Sequence, residues 1–212
     1  MNIRRVAVFA LFIGVAGTSL AAPGVFSVNG LQGWDPQTFK NKTPTPYRLI
    51  EDAGVKVLEA RCDHSASGYV WKEKIDLTQT PKLSWRWRVE KIFEQLRERE
   101  KSGDDFPVRL YVVRDGGWAL WRTRSLVYVW SNGESGVHDW PDAYTAQAHV
   151  IALRAGKQGL GQWQQEQRDI RADFKTYFGE DVDHVDAVAL MSDCDDSGRS
   201  SRSLFGDIKL LR

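Results

Sequence analysis

Alternation of apolar and polar side chains is the main structural signal along this chain. In residues 83–89, four apolar side chains alternate with Ser84, Arg86 and Arg88, which is the period of a strand with one buried face. Comparable patterns predict strands at residues 55–61, 68–75, 108–114, 125–131, 149–154, 162–168, 185–191 and 204–211. Residues 185–191 are apolar on both faces, so this strand is expected in the middle of a sheet.

Two segments have helical signals instead. Residues 90–101 are charged and carry Ile92, Phe93 and Leu96 on one side, and residues 169–178 begin at a capping candidate, Asp169, and end before Gly179. Because so few helices separate the strands, a parallel α/β fold is disfavoured. The pattern predicts an all-β, antiparallel, jelly-roll-like β-sandwich with two short helices.

The first residues have the organisation of a secretory signal peptide. Arg4 and Arg5 precede an apolar run, and small residues follow it at the expected cleavage point after Ala21. An uncleaved membrane anchor is the alternative, but the run is shorter than the ~20 residues that span a bilayer. We therefore expect a signal peptide at residues 1–21, a single β-sandwich domain at 22–212 and an exported, periplasmic protein with no membrane span after cleavage.

Charge and cysteine content narrow the possibilities further. The 29 basic and 28 acidic residues give a net charge of +1, which offers no general attraction to nucleic acid. Two cysteines in an oxidising compartment predict a Cys62–Cys194 disulfide, which would bring Asp63 and His64 close to the acidic residues around Cys194. A Cys/His site for zinc or copper is the alternative use of these thiols.

Two acidic segments are the main candidates for chemistry. Asp104 and Asp105 precede the strand that contains Arg109, and Asp193 and Asp195 follow the apolar strand at 185–191. Carboxylate pairs can ligate Ca²⁺ through oxygen, and they can also divide acid and base roles in hydrolysis. Turn hydrogen bonds and pairing with Arg109 are the structural alternatives.

Asp207 is a third acidic candidate. It enters the last predicted strand after Gly206, as an aspartate does in many galactose-binding-like jelly rolls that hold a structural calcium there. Asp193, Asp195 and Asp207 are therefore the candidate metal ligands, with Ca²⁺ as the candidate ion. An ordinary strand-entry residue is the alternative for Asp207.

Aromatic residues and arginines could together recognise a polymer. Nine tryptophans are many for this length; aromatic faces stack on sugar rings, and arginines bind acidic groups. The candidates are Trp118, Trp121, Trp130, Trp140, Tyr128 and Tyr144, with Arg86, Arg88, Arg109, Arg122 and Arg124. Core packing is the alternative for most of the tryptophans. The sequence has no phosphate-binding glycine loop, no Gly-x-Ser-x-Gly and no His-Glu-x-x-His, which disfavours nucleotide enzymes, α/β-hydrolases and zinc proteases.

Several segments in order resemble one exported bacterial family, domain of unknown function 3047. They are Ser65–Gly68, Leu83–Trp87, Gly103–Val112, Tyr128–Ser131, Met191–Gly198 and Phe205–Ile208. The resemblance implies that Asp104, Asp105, Arg109, Asp193 and Asp195 belong to one shared feature. Family members usually have Thr and Asn where this chain has Cys194 and Asp196, so the disulfide is expected to be particular to this chain. The family has no assigned activity.

The leading functional hypothesis is recognition of a carbohydrate or cell-envelope polymer in the periplasm. The candidate ligand-binding residues are Asp104, Asp105, Arg109, Trp130, Asp193 and Asp195. The first alternative is a carboxylate-dependent polysaccharide hydrolase or lyase, in which Asp104, Asp105, Asp193 and Asp195 would be the catalytic candidates. The second is a calcium-stabilised structural factor of the envelope.

Overall fold

The fold was analysed in a computed structural model, which describes residues 24–133 and 138–212. The expected signal peptide lies outside the described residues. The strands are β1 Val25–Phe26, β2 Trp34–Thr38, β3 Tyr47–Asp52, β4 Val55–Asp63, β5 Ala66–Trp71, β6 Ile75–Asp76, β7 Lys82–Val89, β8 Arg109–Arg114, β9 Arg124–Ser131, β10 Asp139–Pro141, β11 Ala148–Ala155, β12 Gln164–Asp169, β13 His184–Val185, β14 Ala187–Asp193, β15 Ser200–Phe205 and β16 Ile208–Leu211. One helix, α1, spans Ile170–Phe178, and 3₁₀ turns lie at Lys101–Gly103 and Leu120–Arg122.

Two large sheets form the predicted sandwich. In the first sheet, β7 pairs with β12 on one side and with β16 and β15 on the other, and the order continues from β15 to β4 and β3. β1 extends this sheet beside β16. The second sheet has the order β10-β11-β9-β8-β14-β5-β2, and β6 and β13 form a small separate ladder. The expected jelly-roll-like β-sandwich is therefore confirmed.

One pair of strands departs from the antiparallel expectation. β9 and β11 run parallel, from Ser125 beside Ala148 to Ser131 beside Ala155. The chain reaches β11 through the short edge strand β10, which runs antiparallel to β11. Because β10 takes the reversed direction, β11 returns in the direction of β9.

The main core lies between the two sheets, as the alternation predicts. Trp85 and Trp87 of β7 are fully buried and stack edge to face, with ring centroids 5.5 Å apart. From the second sheet, Leu190 and Tyr128 reach the same core cluster. β14 pairs with β5 and β8 and is buried along its whole length, so its expected central position is also confirmed.

A second apolar cluster lies on the other face of the second sheet. Val127 and Val129 belong to it, whereas the alternating Tyr128 and Trp130 belong to the main core. Alternation along β8 and β14 places Arg109 and Asp193 on the same side as this second cluster. The charged pair therefore lies at one end of an otherwise apolar sheet face.

The two helix predictions have different outcomes. α1 has the expected caps: Asp169 Oδ1 accepts a hydrogen bond from Ala172 N, and Gly179 takes the left-handed conformation at φ 71°. Residues 90–101, in contrast, form turns, so the predicted helix there is wrong. Gln95 has a φ of 62°, which interrupts any helix, and Phe93 N donates 2.8 Å to Asn132 Oδ1. No helix among the described residues is long and apolar enough to cross a membrane.

The Cys62–Cys194 disulfide is present, with the two Cα atoms 6.1 Å apart. Cys62 lies in β4 of the first sheet, and Cys194 follows β14 of the second sheet. The predicted bridge therefore joins the two sheets. It does so next to Asp193 and Asp195.

Candidate functional site

A buried ion pair between Arg109 and Asp193 lies at the bottom of the candidate site. Arg109 begins β8 opposite Met191 of β14, and this register brings its guanidinium to Asp193. Arg109 Nε donates 2.8 Å to Asp193 Oδ1, and Nη2 donates to Oδ2, so the pairing is bidentate. Phe106 N also donates to Asp193 Oδ1, over 3.2 Å. Both charged side chains are almost completely shielded from water.

Asp104 is a second carboxyl group beside the same guanidinium. Its oxygens lie 3.4 and 3.5 Å from Arg109 Nη1, a weaker contact than that of Asp193. Burial raises the pKa of Asp104 to about 7, Arg109 opposes this shift, and the charges of Asp142 and Asp196 add to it. Burial also raises the pKa of Asp193, against the effect of its bidentate partner. Asp104 is thus a buried acid poised to exchange a proton near neutral pH.

Asp105 fastens the loop that follows β14. Its carboxylate accepts hydrogen bonds from Asp196 N at 3.3 Å and Ser197 N at 2.6 Å, and its own carbonyl accepts from Asn132 Nδ2 at 2.8 Å. Asp105 is fully buried. These contacts give it a structural role, and they hold Asp195 and Asp196 in position above the buried ion pair.

Partly exposed polar groups form what we call the acidic rim, defined as Lys42, Tyr144, Asp195 and Asp196. Lys42 Nζ donates to Asp195 and lies 3.3 Å from Asp196 Oδ1. Tyr144 Oη donates 2.6 Å to Asp196 Oδ2. Asp195 and Asp196 belong to the acidic segment that follows β14, whereas Lys42 and Tyr144 come from loops far away in the sequence. Tyr144 was one of many aromatic candidates, whereas no sequence signal indicated Lys42.

The five polar residues that the sequence grouped together do meet in the structure. Oxygen atoms of Asp105, Asp193 and Asp195 lie within 4.8 Å of one another, a donor set that suits Ca²⁺. Arg109, Lys42 and backbone amides already contact these carboxylates. The residues could hold a cation, and they also have partners within the chain.

Two predicted site residues lie elsewhere. Asp207 Oδ1 accepts hydrogen bonds from Ser27 Oγ at 2.9 Å and Val28 N at 3.0 Å, so it fastens the start of the described chain and does not join the three-carboxylate group. Trp130 is fully buried in the main core and donates from Nε1 to Gly156 O at 3.0 Å. It is not available for stacking on an external ligand, because its alternation on β9 turns it inward.

Comparison with known proteins gives one match to a family and several to solved structures. Residues 32–209 match the family described as "Protein of unknown function (DUF3047)". No curated protein matches the chain.

Among solved structures, the xyloglucanase domain of NopAA, a type three effector from Sinorhizobium fredii, is 12% identical with a TM-score of 0.45, covering 89% of this chain and 97% of that one. The cellulose induced protein Cip1 is 9% identical with a TM-score of 0.45, over 84% and 90%. A family 12 xyloglucanase from Bacillus licheniformis is 8% identical with a TM-score of 0.41, over 89% and 90%. Likeness at this level supports no inference about ligand or activity. The family match spans most of the sequence, and the chain belongs to the DUF3047 family.

Proposed function

We propose that this chain is an exported binding protein for a carbohydrate or cell-envelope polymer, with its ligand at the acidic rim. The observation that carries the proposal is the arrangement of the rim itself. An ammonium group, two carboxylates and a phenol meet at a partly exposed surface, and a buried ion pair and a disulfide lie directly behind them.

The chemistry of the rim suits hydroxyl-rich ligands. Carboxylates accept hydrogen bonds from sugar hydroxyls, Lys42 donates to their oxygens, and the Tyr144 ring offers an aromatic face. Lys101 Nζ lies 5.2 Å from the centre of that ring. Because Asp105 fixes the loop of Asp196, the rim requires little ordering when a ligand binds.

Export to the periplasm is part of the proposal. The basic and apolar segments before Ala21 support it, as does the use of both cysteines in one disulfide. Detection of the processed chain in the periplasmic fraction of expressing cells tests this element separately from binding.

Glycan arrays and pull-downs from envelope fractions test the binding proposal. We expect specific retention by at least one polymer and loss of at least about tenfold in affinity for Asp196→Asn and Tyr144→Phe, since each change removes a hydrogen bond within the rim. Asp35→Asn is the matched control because Asp35 is an exposed carboxylate on the edge strand β2. Absence of binding on every array and envelope fraction would remove the support for this function.

A polysaccharide hydrolase or lyase is the second candidate, and the environment of Asp104 favours it. A carboxyl group with a pKa of about 7 can act as a general acid at neutral pH. If the protein cleaves a polymer, Asp104→Asn and Asp193→Asn should each abolish turnover while binding stays measurable. Turnover retained in both variants would contradict this mechanism.

A further inference from the structure

Three large apolar side chains are exposed to solvent on one loop of the second sheet. This segment, residues 115–123, joins β8 to β9, and we call it the tryptophan loop. Trp118 is 101% exposed, Leu120 is 59% exposed and Trp121 is 70% exposed. The loop follows Arg114, the last residue of β8, whereas Arg109 of the candidate site is the first. The loop is therefore at the end of β8 remote from Arg109.

Hydrogen bonds connect the tryptophan loop to neighbouring parts of the chain. Asp115 N donates 2.7 Å to Asp186 Oδ2, and Gly116 N donates 3.2 Å to Thr123 Oγ1. Gln147, which directly precedes β11, donates a hydrogen bond from Nε2 to Leu120 O over 2.8 Å. A Cβ atom at Gly116 would lie 2.3 Å from the carbonyl oxygen of Ala119, so the turn requires glycine there.

Exposure of three apolar side chains on one hydrogen-bonded loop points to a partner. The backbone of the loop is bonded to Asp186, Thr123 and Gln147, and in this conformation the three apolar side chains extend into solvent. Grouped apolar residues on a soluble domain mark interaction sites, whereas single ones do not. Within residues 24–133 and 138–212, the other large exposed apolar residues, Val25, Leu49 and Val55, lie on strands of the first sheet.

We propose that the tryptophan loop docks the protein on a phospholipid bilayer. Tryptophan favours the boundary between headgroups and acyl chains, because its ring is apolar and its N–H finds polar partners there. Leu120 gains from the same boundary, whereas a leucine between two tryptophans adds neither a stacking face nor a hydrogen bond for a sugar. A fully exposed Trp118 protrudes, as insertion requires, and does not line a cleft.

The tryptophan loop carries one cation, Arg122, and one carboxylate, Asp115, whose Oδ1 accepts a hydrogen bond from Gly117 N at 3.1 Å. These two charges offset each other, so the loop does not repel a phospholipid surface. Arg122 is exposed and has no ion-pair partner among residues 24–133 and 138–212, so its guanidinium is available to a lipid phosphate. Arg124 instead binds the loop: Nη1 donates to Trp121 O at 2.9 Å, and Nε lies 3.0 Å from Glu180 Oε1. With three apolar contacts and little net charge on the loop, docking is reversible and depends mainly on apolar burial.

Co-sedimentation of the exported protein with vesicles of phosphatidylethanolamine and phosphatidylglycerol tests the proposal. We expect binding of the wild type and a loss of about tenfold or more for the triple variant Trp118→Ala, Leu120→Ala and Trp121→Ala. The matched control is Leu49→Ala with Val55→Ala, which removes apolar surface exposed at 44% and 47% on the first sheet. Thermal melting of each variant checks that the fold is intact.

A second readout locates the contact. Vesicles that contain brominated acyl chains should quench the fluorescence of the wild type more than that of Trp118→Phe with Trp121→Phe, because the other tryptophans stay within the protein. The proposal is overturned if vesicles do not retain the wild type, or if the triple variant binds them as well as the wild type does. The proposal would also be overturned if the wild type bound isolated cell-wall glycan but not vesicles, and the triple variant lost this glycan binding. That result would assign the loop to sugar stacking. These variants do not alter the acidic rim. Glycan binding at the rim is therefore tested separately from vesicle binding by the loop.

Discussion

At the scale of single residues, Arg109 has the most demanding position in the molecule. It is fully enclosed, and its charge is balanced by Asp193 and Asp104. The cation also lies 4.5 Å from the centre of the Phe106 ring. Burial of a charged group is tolerated only where partners replace its water, so these residues depend on one another for stability.

Replacement of Arg109 by methionine should therefore be severe. It leaves Asp193 and Asp104 buried without their cation, and the loss of one partner from a buried pair costs about 3–5 kcal/mol in the free energy of unfolding. Urea denaturation of the two proteins measures this difference. Arg97→Met is the control, because Arg97 forms an exposed pair with Glu100 and should change stability by no more than about 1 kcal/mol. Equal effects of the two substitutions would contradict the assigned role of Arg109.

Asp104 should make stability depend on pH. Its pKa rises from 3.8 to about 7 on folding, so the folded state holds its proton more tightly and loses relative stability as pH increases from about 4 through 7. The shift corresponds to roughly 4 kcal/mol. Asp104→Asn removes this contribution and should flatten the profile of unfolding free energy against pH. Urea denaturation at several pH values measures it, and parallel profiles for wild type and variant would refute the shift.

At the scale of elements, α1 is a local structure that its own sequence specifies. Asp169 caps its first turn and Gly179 ends it. Removal of the cap by Asp169→Ala should lower the free energy of unfolding by about 1 kcal/mol, since Ala172 N loses its acceptor. Thermal or urea denaturation measures the loss. Asp169→Asn should retain most of the stability, because an amide oxygen can also accept the bond, and an equal loss in both variants would argue against capping.

Elements with strong alternation were predictable, and elements fixed by distant contacts were not. The sequence indicated β7, β8, β9 and β14 correctly, because each alternates or is apolar throughout. β2 was missed since it contains Pro36 and lies at a sheet edge, where proline is tolerated. β3 was missed because its exposed pattern is mostly polar. The helix predicted at 90–101 does not form, since Phe93 N bonds instead to Asn132 from another part of the chain.

The candidate site, too, could be predicted only in part from the sequence. The family resemblance placed Asp104, Asp105, Arg109, Asp193 and Asp195 together, and the structure does bring them together. The types of these five residues do not reveal which of them are buried. Only the fold separates the buried ion pair from the partly exposed rim. The inward position of Trp130 followed from the strand face that it occupies.

At the scale of the whole molecule, the disulfide ties the two sheets together across a long stretch of sequence. Cys62 and Cys194 are 132 residues apart. Closure of a loop of that length in the unfolded chain accounts for about 4–5 kcal/mol of stability in the chain-entropy account. We expect Cys62→Ala with Cys194→Ala to lower the melting temperature strongly and to weaken any ligand binding at the rim. Melting of the variant, and of wild type with and without reductant, measures this, and unchanged melting would contradict it.

The response of stability to calcium is a further question at the scale of the whole molecule. Because Arg109, Lys42 and backbone amides contact the three clustered carboxylates, we expect a chelator to change the melting temperature only slightly. Melting of the purified protein, with and without chelator, together with its metal content, provides the measurement. Bound calcium and a large drop in melting temperature would contradict this expectation and favour the calcium-stabilised alternative.

The pairing of β7 has a consequence for how the chain is made. β7 ends at Val89, yet its neighbours β15 and β16 span residues 200–211, and β16 in turn receives β1. The first sheet cannot close until these late strands have left the ribosome. Because β7 pairs with residues more than a hundred positions later, we expect this sheet to form only after residues 200–211 have been synthesised, and pairing of such non-local strands to be the slow part of folding.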